Sequence, residues 1–599
     1  MIDDWLSKLN SQQREAVLSE GNTAIVAVPG SGKTRCLSVR AALQLKQHPK
    51  VGIIAVTFSV DAATELKSRI KLLAGDTRKV TAGTFHALCR KQLDRKGNLG
   101  NIISDGSRYS FIKEAMEDCE ATYSIIESIG IIDKYKNQLD CSLPPGGEGK
   151  LCEAFDAIMH RNHAIDFFDL LRMAVLGMRD GSVSPITGGH LFVDEFQDTD
   201  TIQYEWLREH AKYMDVTVVL DDDQTIYAFR DAMGYENYTR FAFEFKAQTI
   251  VLNTNYRSKR EILNAADKLI QHNKDRVHKE MFAFKGSGGV VEVKEYQTTN
   301  LEAEAIVSRV KPHYAQWAVL ARTNYQLFQI ESELLACENK IPYKRLGGGR
   351  GILDKRHVAI YMHILESISK QTNLGFDHSL MVMGLTASER RRLHDSWRVE
   401  GIYKGIYSGE IPVGISKKSR EKIEVLSENL QGWITTLKRR DKYSVNECIA
   451  KVAAWYMTQI MSKDNEEERC VAMVRDTLLK FKGTLNTRLI NIRKTKKDTK
   501  KALILSTLHG AKGLEFPNVW MCGIARGLMP YEKVPGELKR FPELLAEERR
   551  LCYVGITRAE NTLVLSYAGK DARPSPFLVE SGLIPSEITE NGQLAAVVG

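Results

Sequence analysis

Lys33 and Thr34 close the stretch TAIVAVPGSGKTR at residues 23–35, with Gly30 and Gly32 on either side of Ser31. Glycines let backbone N–H groups turn toward one centre, a lysine adds a full positive charge there, and a threonine hydroxyl is a hard-oxygen ligand suited to Mg²⁺. That combination fits a loop that cradles phosphates, with Lys33 reaching the β- and γ-phosphates. Ala27 stands where the strict pattern opens on Gly. Far downstream, Asp194 and Glu195 lie side by side in HLFVDEFQD. One such carboxylate can hold the metal, through water or Thr34, while the other orients and deprotonates a water. The chemistry expected from the two stretches together is nucleotide hydrolysis.

A phosphate loop works only between a strand and a helix N-terminus, and the flanking residues supply both. Residues 23–28 have the unbroken, β-branched apolar character of a buried parallel strand, and RCLSVRAALQLK after Lys33 has helical spacing. Further strands are expected at VGIIAVTF (51–58), into GTFH (83–86), at HLFVDE (190–195), VTVVLDDDQ (216–224) and TIVLN (249–253). In open α/β sheets ligands collect at the carboxyl ends of strands, where Thr57, Thr84, Asp194, Glu195, Asp222, Asp223 and Gln224 fall. A second set follows at VVEVKEY (290–296), WAVLART (317–323), ALILSTLHGAKG (502–513), VWMCGI (519–524) and TLVLSYA (562–568), with helices at 259–270 and 325–336 between them.

The fold class is therefore α/β, with two parallel-sheet cores of the P-loop NTPase kind, each interrupted by a mainly helical insertion. Residues 1–88 and 165–254 are assigned to the first core and 89–164, with a Gly/Pro turn at 144–149, to its insertion. Residues 255–374 and 500–599 are assigned to the second core and 375–499 to its insertion. The run RKTKKDTKK (493–501) carries six basic residues in nine and reads as a solvated loop or a nucleic-acid contact. Ahead of the phosphate loop, LNSQQREAV (9–17) has a polar-capped helical start from which Gln13 could present its amide to an adenine edge.

Composition narrows the class. The 599 residues suggest three to five domains, and 43% hydrophobic with 27% charged residues is ordinary for a globular chain. No apolar run approaches the ~20 residues of a membrane span, the polar and acidic start does not read as a secretory signal, and the expected compartment is the cytoplasm. Ten cysteines without a CxxC pair argue against a zinc site or a disulfide scaffold. A net charge of +9 permits polyanion binding.

In order and wording the motifs resemble those of superfamily 1A DNA helicases of the UvrD/Rep/PcrA type. LNSQQ is similar to the family's adenine-reading motif, AVPGSGKT to its Walker A, AVTFSVDAATELKSRI and AGTFHAL to the segments that touch single-stranded DNA, and DFFDLL (166–171) with VDEFQD to motif II and its flank. DDDQTIYAFR, NYRS (255–258), IPYKRLGGGRGILDKRHV, TLHGAKGLEFPNV (507–519) and EERRLCYVGITRAENTLVL (547–565) complete the set. The resemblance implies two RecA-like cores, ATP and Mg²⁺ as cofactors, and single-stranded DNA and single-strand/duplex junctions as partners, with 3′-to-5′ translocation and unwinding.

It implies that Lys33, Asp194, Glu195, Gln224, Arg257 and Arg558 are catalytic, the two arginines as fingers. Gln13, Ala27, Val28, Pro29, Gly30, Ser31, Gly32, Lys33, Thr34, Arg35, Tyr256 and Glu515 would hold the nucleotide, and Thr34 and Asp194 the metal. Phe58, Thr84, Phe85, His86, Tyr227, Phe229, Arg230 and His509 would meet DNA. The chain departs from the family at Leu220 for Gly, Phe229 for Trp, Asp231 for Gly and His357 for Glu, and its second insertion is short. A monomer in isolation is expected and protein partners stay open. The alternative is a helicase-like, DNA-stimulated ATPase subunit of a defence or repair complex that unwinds weakly alone.

Overall fold

Strands form where the sequence is apolar and β-branched, and their order decides which loops meet. The computed structural model describes residues 2–94, 99–140, 142–227, 232–337, 339–347, 351–441, 443–459, 465–494, 501–534, 536–570 and 572–585. By contacts the chain divides into two compact units, residues 1–288 with 541–553, and residues 289–540 with 554–599. Residues 255–288 thus pack with the first unit, and so does a helical stretch from far down the chain.

The first unit is built on six strands: β1 (Thr23–Ala27), β2 (Ile53–Val56), β3 (Val80–Gly83), β4 (His190–Val193), β5 (Asp215–Leu220) and β6 (Gln248–Leu252). Their order is β3-β2-β4-β5-β1-β6, and every pairing is parallel. β1 and β2 are buried along their whole length, as expected of strands covered on both faces by helices. One side of the sheet packs Ala24, Val26, Ile54 and Val193 against Phe85, Trp206 and Phe241. The other packs Ile25, Ile53 and Phe192 against Leu37, Leu66 and Ile70. The chain leaves β1, crosses β5 and β4 to build β2 and β3, and then returns. The carboxyl ends of β1, β4 and β5 are thereby left around one switch point.

The insertion of this unit has its own core, in which helices Asp105–Asp118, Ile125–Lys136 and Gly147–Arg161 bury Ile112, Ile132, Leu151 and Phe155. The last of these helices starts inside the stretch 144–149 that reads as a turn; Gly146, at φ +72°, is its cap. Two cations from the insertion anchor it to helix Phe167–Arg179. Arg108 Nε donates to Asp166 Oδ2 at 3.1 Å, and Lys136 Nζ to Asp169 Oδ1 at 2.9 Å.

The second unit repeats the plan with β7 (Val290–Tyr296), β8 (Trp317–Ala321), β9 (Tyr343–Leu346), β10 (Leu503–Thr507), β11 (Phe516–Met521) and β12 (Ala559–Ala568). Its order is β7-β12-β11-β8-β10-β9, again all parallel. β9 is an edge strand that the apolar runs of the sequence do not reveal. Between β9 and β10 the regular elements among the described residues are helices, and Phe376, Trp433, Tyr456, Val474 and Leu489 are buried in one core that also takes in Phe328 and Leu335 from helix Asn324–Ala336. Most of the basic run at 493–501 lies outside the described residues. No helix among the described residues is long and apolar enough to cross a membrane.

Candidate nucleotide and nucleic-acid site

The loop after β1 turns on two glycines in the left-handed region, Gly30 at φ +64° and Gly32 at φ +84°. A Cβ on Gly30 would stand 2.6 Å from the Cβ of Arg257, so the position takes no side chain. Gly32 caps helix Lys33–Gln47, leaving the helix's first N–H groups and the positive end of its dipole turned toward the loop. Ala27 and Val28 are buried, and the Val28 N–H donates to Leu252 O at 2.9 Å, which fixes the loop's root to the sheet. Ser31 Oγ is buried without a hydrogen-bond partner. Arg35, exposed, donates to the Lys8 carbonyl at 3.0 Å.

Lys33 Nζ lies 3.3 Å from Glu195 Oε2. Burial works against its charge, but Glu195, Asp221 and Asp194 outweigh that and hold its pKa above the ordinary lysine value. Asp194 is held well above the usual carboxylate range by burial and by the neighbouring Glu195. Glu195 is in the left-handed region at φ +52°, a conformation costly for a non-glycine residue and concentrated at functional sites. Gln197 and Asp221, neither of them singled out from the sequence, tie this pair to the end of β5. The Gln197 amide donates to Glu195 Oε2 and accepts from the Asp221 N–H at 3.0 Å. Asp221 Oδ2 in turn accepts from Gln224 Nε2 at 2.6 Å. Lys279, fully buried, balances Asp221, Asp222 and Asp223, and Arg276 pairs with Asp223 at 2.8 Å. The three aspartates are close enough to hold an ion, but the Lys279 ammonium supplies their countercharge.

The segment after β6 is laced to the phosphate loop within the same unit. Asn255 Nδ2 donates to Pro29 O at 2.7 Å, its Oδ1 accepts from the N–H groups of Arg257 and Ser258, and the Tyr256 N–H donates to Gly30 O at 2.9 Å. The Tyr256 ring lies 4.8 Å from that of Phe284, and its hydroxyl accepts from Asn10 Nδ2 at 2.8 Å. Asn10 caps helix Ser11–Leu18 in a reciprocal box with Gln13, whose Nε2 continues to Ser31 O at 2.9 Å. Gln13 is buried rather than solvated. Asn10 and Asn255 were within the quoted motifs, but only a fold that brings the two segments together reveals them as connectors.

Toward the other side of the same sheet end, Phe58 is 45% exposed and stacks on Tyr227 with centroids 5.3 Å apart and planes 9° from parallel. Thr84 accepts from the Ala87 N–H at 3.3 Å, and a depression of about 400 Å³ runs past it, lined by Thr64, Lys67 and Lys71. His86 sits edge-on to Phe167 at 5.3 Å, and burial holds it below the usual histidine pKa against the pull of Asp166. Phe85 departs from its expected role. It is buried, edge-on to Trp206 at 5.5 Å in the sheet's core, so its ring offers no face to a base. Phe229 and Arg230 lie outside the described residues.

In the second unit Arg558 is 1% exposed and donates to Val554 O at 2.9 Å, Leu514 O at 3.0 Å and Thr557 Oγ1 at 3.1 Å. Glu515, next along from Leu514, is exposed. His509 opens a short 3-10 turn after β10; burial, then Arg322 and Lys512, lower its pKa to about 4.

The profile of the UvrD/REP helicase N-terminal domain matches residues 9–246, and that of the UvrD-like helicase C-terminal domain matches residues 250–396 and 398–570. The chain belongs to the UvrD/Rep helicase family. Among its curated relatives are the ATP-dependent DNA helicases PcrA of Staphylococcus epidermidis, 28% identical over 653 aligned positions, and of Staphylococcus aureus, 29% identical over 654. Each alignment covers 98% of this chain and 87% of the relative.

In a UvrD/Rep helicase the nucleotide is ATP with Mg²⁺, and the residues present fit both. The unpartnered Ser31 hydroxyl, the open helix N-terminus and the Lys33 ammonium are donors matched to phosphate oxygens. Thr34, at the start of the helix, and Asp194, beside Glu195, carry hard-oxygen groups of the kind that bind a divalent cation.

Proposed function

We propose that this UvrD/Rep helicase is an ATP-driven translocase that moves 3′ to 5′ on single-stranded DNA and separates duplexes at single-strand/duplex junctions. The observation that carries the reading is the segment from Asp221 to Tyr227. Its first part ties Gln224 to Asp221, which reaches the Lys33–Glu195 pair through the Gln197 amide, and its end stacks Tyr227 on the half-exposed Phe58. One short stretch of backbone therefore joins a nucleotide site to an aromatic platform. Such platforms hold any base, at roughly 1–3 kcal/mol each, and so suit stepping along a strand without regard to sequence.

In the proposed reaction Lys33 and the loop N–H groups bind the triphosphate, while Glu195 aligns a water and takes its proton as it attacks the γ-phosphate. Gln224 reads the γ-phosphate; Arg257 and Arg558 are assigned the charge that develops in the transition state, and Tyr256, Gln13 and Glu515 the base and ribose. Mg²⁺, when bound at Thr34 and Asp194, supplies charge neutralisation on the phosphate oxygens. Phe58, Tyr227, Thr84, His86 and His509 are the proposed DNA contacts, to which the resemblance adds Phe229 and Arg230. We assign residues 1–88 and 165–254 to the first core, 89–164 to its insertion, 255–374 and 500–599 to the second core and 375–499 to its insertion. The protein is proposed to act in the cytoplasm as a monomer.

The test is steady-state ATPase with and without single-stranded DNA, beside strand displacement from 3′- and 5′-tailed duplexes. Stimulated hydrolysis with unwinding from the 3′ tail alone is expected. Absence of stimulation overturns the motor reading, and unwinding from a 5′ tail overturns the polarity.

A further inference from the structure

Glu195 faces two demands. Its backbone is in the left-handed region, which has to be held by its surroundings, and its Oε2 carries the Lys33 ammonium, which the proposed reaction transfers to phosphate. The same oxygen accepts from the Gln197 amide. Gln197 has no exposed surface, and its orientation is not ambiguous. Its Oε1 accepts the Asp221 N–H at 3.0 Å, so the Nε2 donor has to face the carboxylate. Asp221 is a crossroads as well, because its carboxylate takes Gln224 Nε2 at 2.6 Å and Lys279 Nζ at 3.1 Å.

We propose that Gln197 is a positioning residue for ATP hydrolysis. With Asp221 it forms a bracket that fixes the spacing between Glu195 and Gln224 and keeps Glu195 in place once Lys33 engages the nucleotide. This rests on the function proposed above. The ammonium of Lys279 makes it rigid, since Asp221 cannot shift without uncovering a buried charge.

The experiment compares wild type with Gln197→Met, which keeps the volume and loses both hydrogen bonds, and with Gln197→Asn, which keeps the amide on a shorter arm. For each, kcat and KM for ATP are measured with saturating single-stranded DNA, together with DNA affinity and the thermal midpoint. In Gln197→Met, kcat is expected to fall at least ~10-fold, with KM for ATP and DNA affinity within about twofold of wild type. Combined with Gln224→Ala, the double variant is expected to lose less than the product of the two single losses, because part of what Gln197 does is done through Gln224. A folded variant with wild-type kcat, or losses that multiply, overturns the proposal. So does insolubility of both variants, which would assign Gln197 to folding. A wild-type protein without DNA-stimulated turnover would instead remove the functional reading beneath it.

Discussion

Lys33 is held in the structure by the carboxylate it would leave during catalysis. Lys33→Ala removes the charge that meets the phosphates and the 3.3 Å contact to Glu195. Turnover of ATP is expected to fall at least ~100-fold, while single-stranded DNA affinity, measured by fluorescence anisotropy, stays within a factor of about three. Retained turnover would mean that the loop is not the nucleotide site. Phe58 is the complementary case. Its ring has one face on Tyr227 and nearly half its surface open, so Phe58→Ala is expected to weaken DNA binding by about 5- to 150-fold, the equivalent of one base stack. ATPase without DNA should not change, and an equal loss of both activities would place Phe58 in the fold rather than on the strand. Lys33 could be singled out because a lysine after loop glycines at a helix start has few other uses, and Phe58 only through the motif it sits in. The burial of Phe85 was not legible, because whether an aromatic at a strand end faces solvent or core depends on Trp206, more than a hundred positions away.

Helix and strand packing confines two histidines whose protonation the fold opposes. His190 on β4 meets Thr217 Oγ1 on β5 at 2.8 Å, and burial followed by Arg40 lowers its pKa to about 3. His210 ends helix Thr201–His210. Nε2 accepts the Ile186 N–H at 3.1 Å and Nδ1 meets Trp206 O at 2.9 Å, and its pKa is lowered to about 4, chiefly by burial. Both folded values lie below the free value near 6.5, so the unfolded chain takes up protons first. The stabilisation is complete above about pH 6.5 and declines as pH falls toward about 4 and 3. Between pH 7 and 5 each site is expected to cost about 2 kcal/mol, and urea unfolding of His210→Gln over that range should show a shallower decline than wild type. An unchanged slope would remove His210 from the acid response. Strand positions were readable from apolar runs, yet β9 was missed because Tyr-Lys-Arg-Leu at a sheet edge is partly exposed and lacks the unbroken apolar character of a central strand.

Across the whole chain, 84 basic against 75 acidic residues leave a net charge of only +9, so polyanion affinity has to come from local placement. Lys67 and Lys71 on the wall of the depression beside Thr84 are such a placement. Replacing both with Ala is expected to make the fall of log affinity with log salt shallower, by roughly 0.7 for each DNA phosphate that is no longer neutralised. A parallel displacement of the line without a change in slope would argue against backbone contacts there. Motif order was enough to identify the family, because each motif tests the others. The helical character of residues 375–499 was legible, but which of its side chains form a buried core was not, since they satisfy one another and carry no chemistry that a spacing rule could detect.

The first unit recruits residues 541–553. Asn273 donates to Ala546 O at 3.1 Å and accepts from Arg549 at 2.6 Å, and the Tyr553 hydroxyl meets Met281 Sδ at 3.7 Å. A ribosome makes the chain in one direction, at ~5–20 residues per second, so this unit waits on the order of tens of seconds for its last helix. In that interval the second unit's strands β7 to β11 emerge while the surface around Asn273 is still uncovered. The seam at Asn273 therefore sets a birth order: the unit that begins first is sealed only when translation of the second is almost finished.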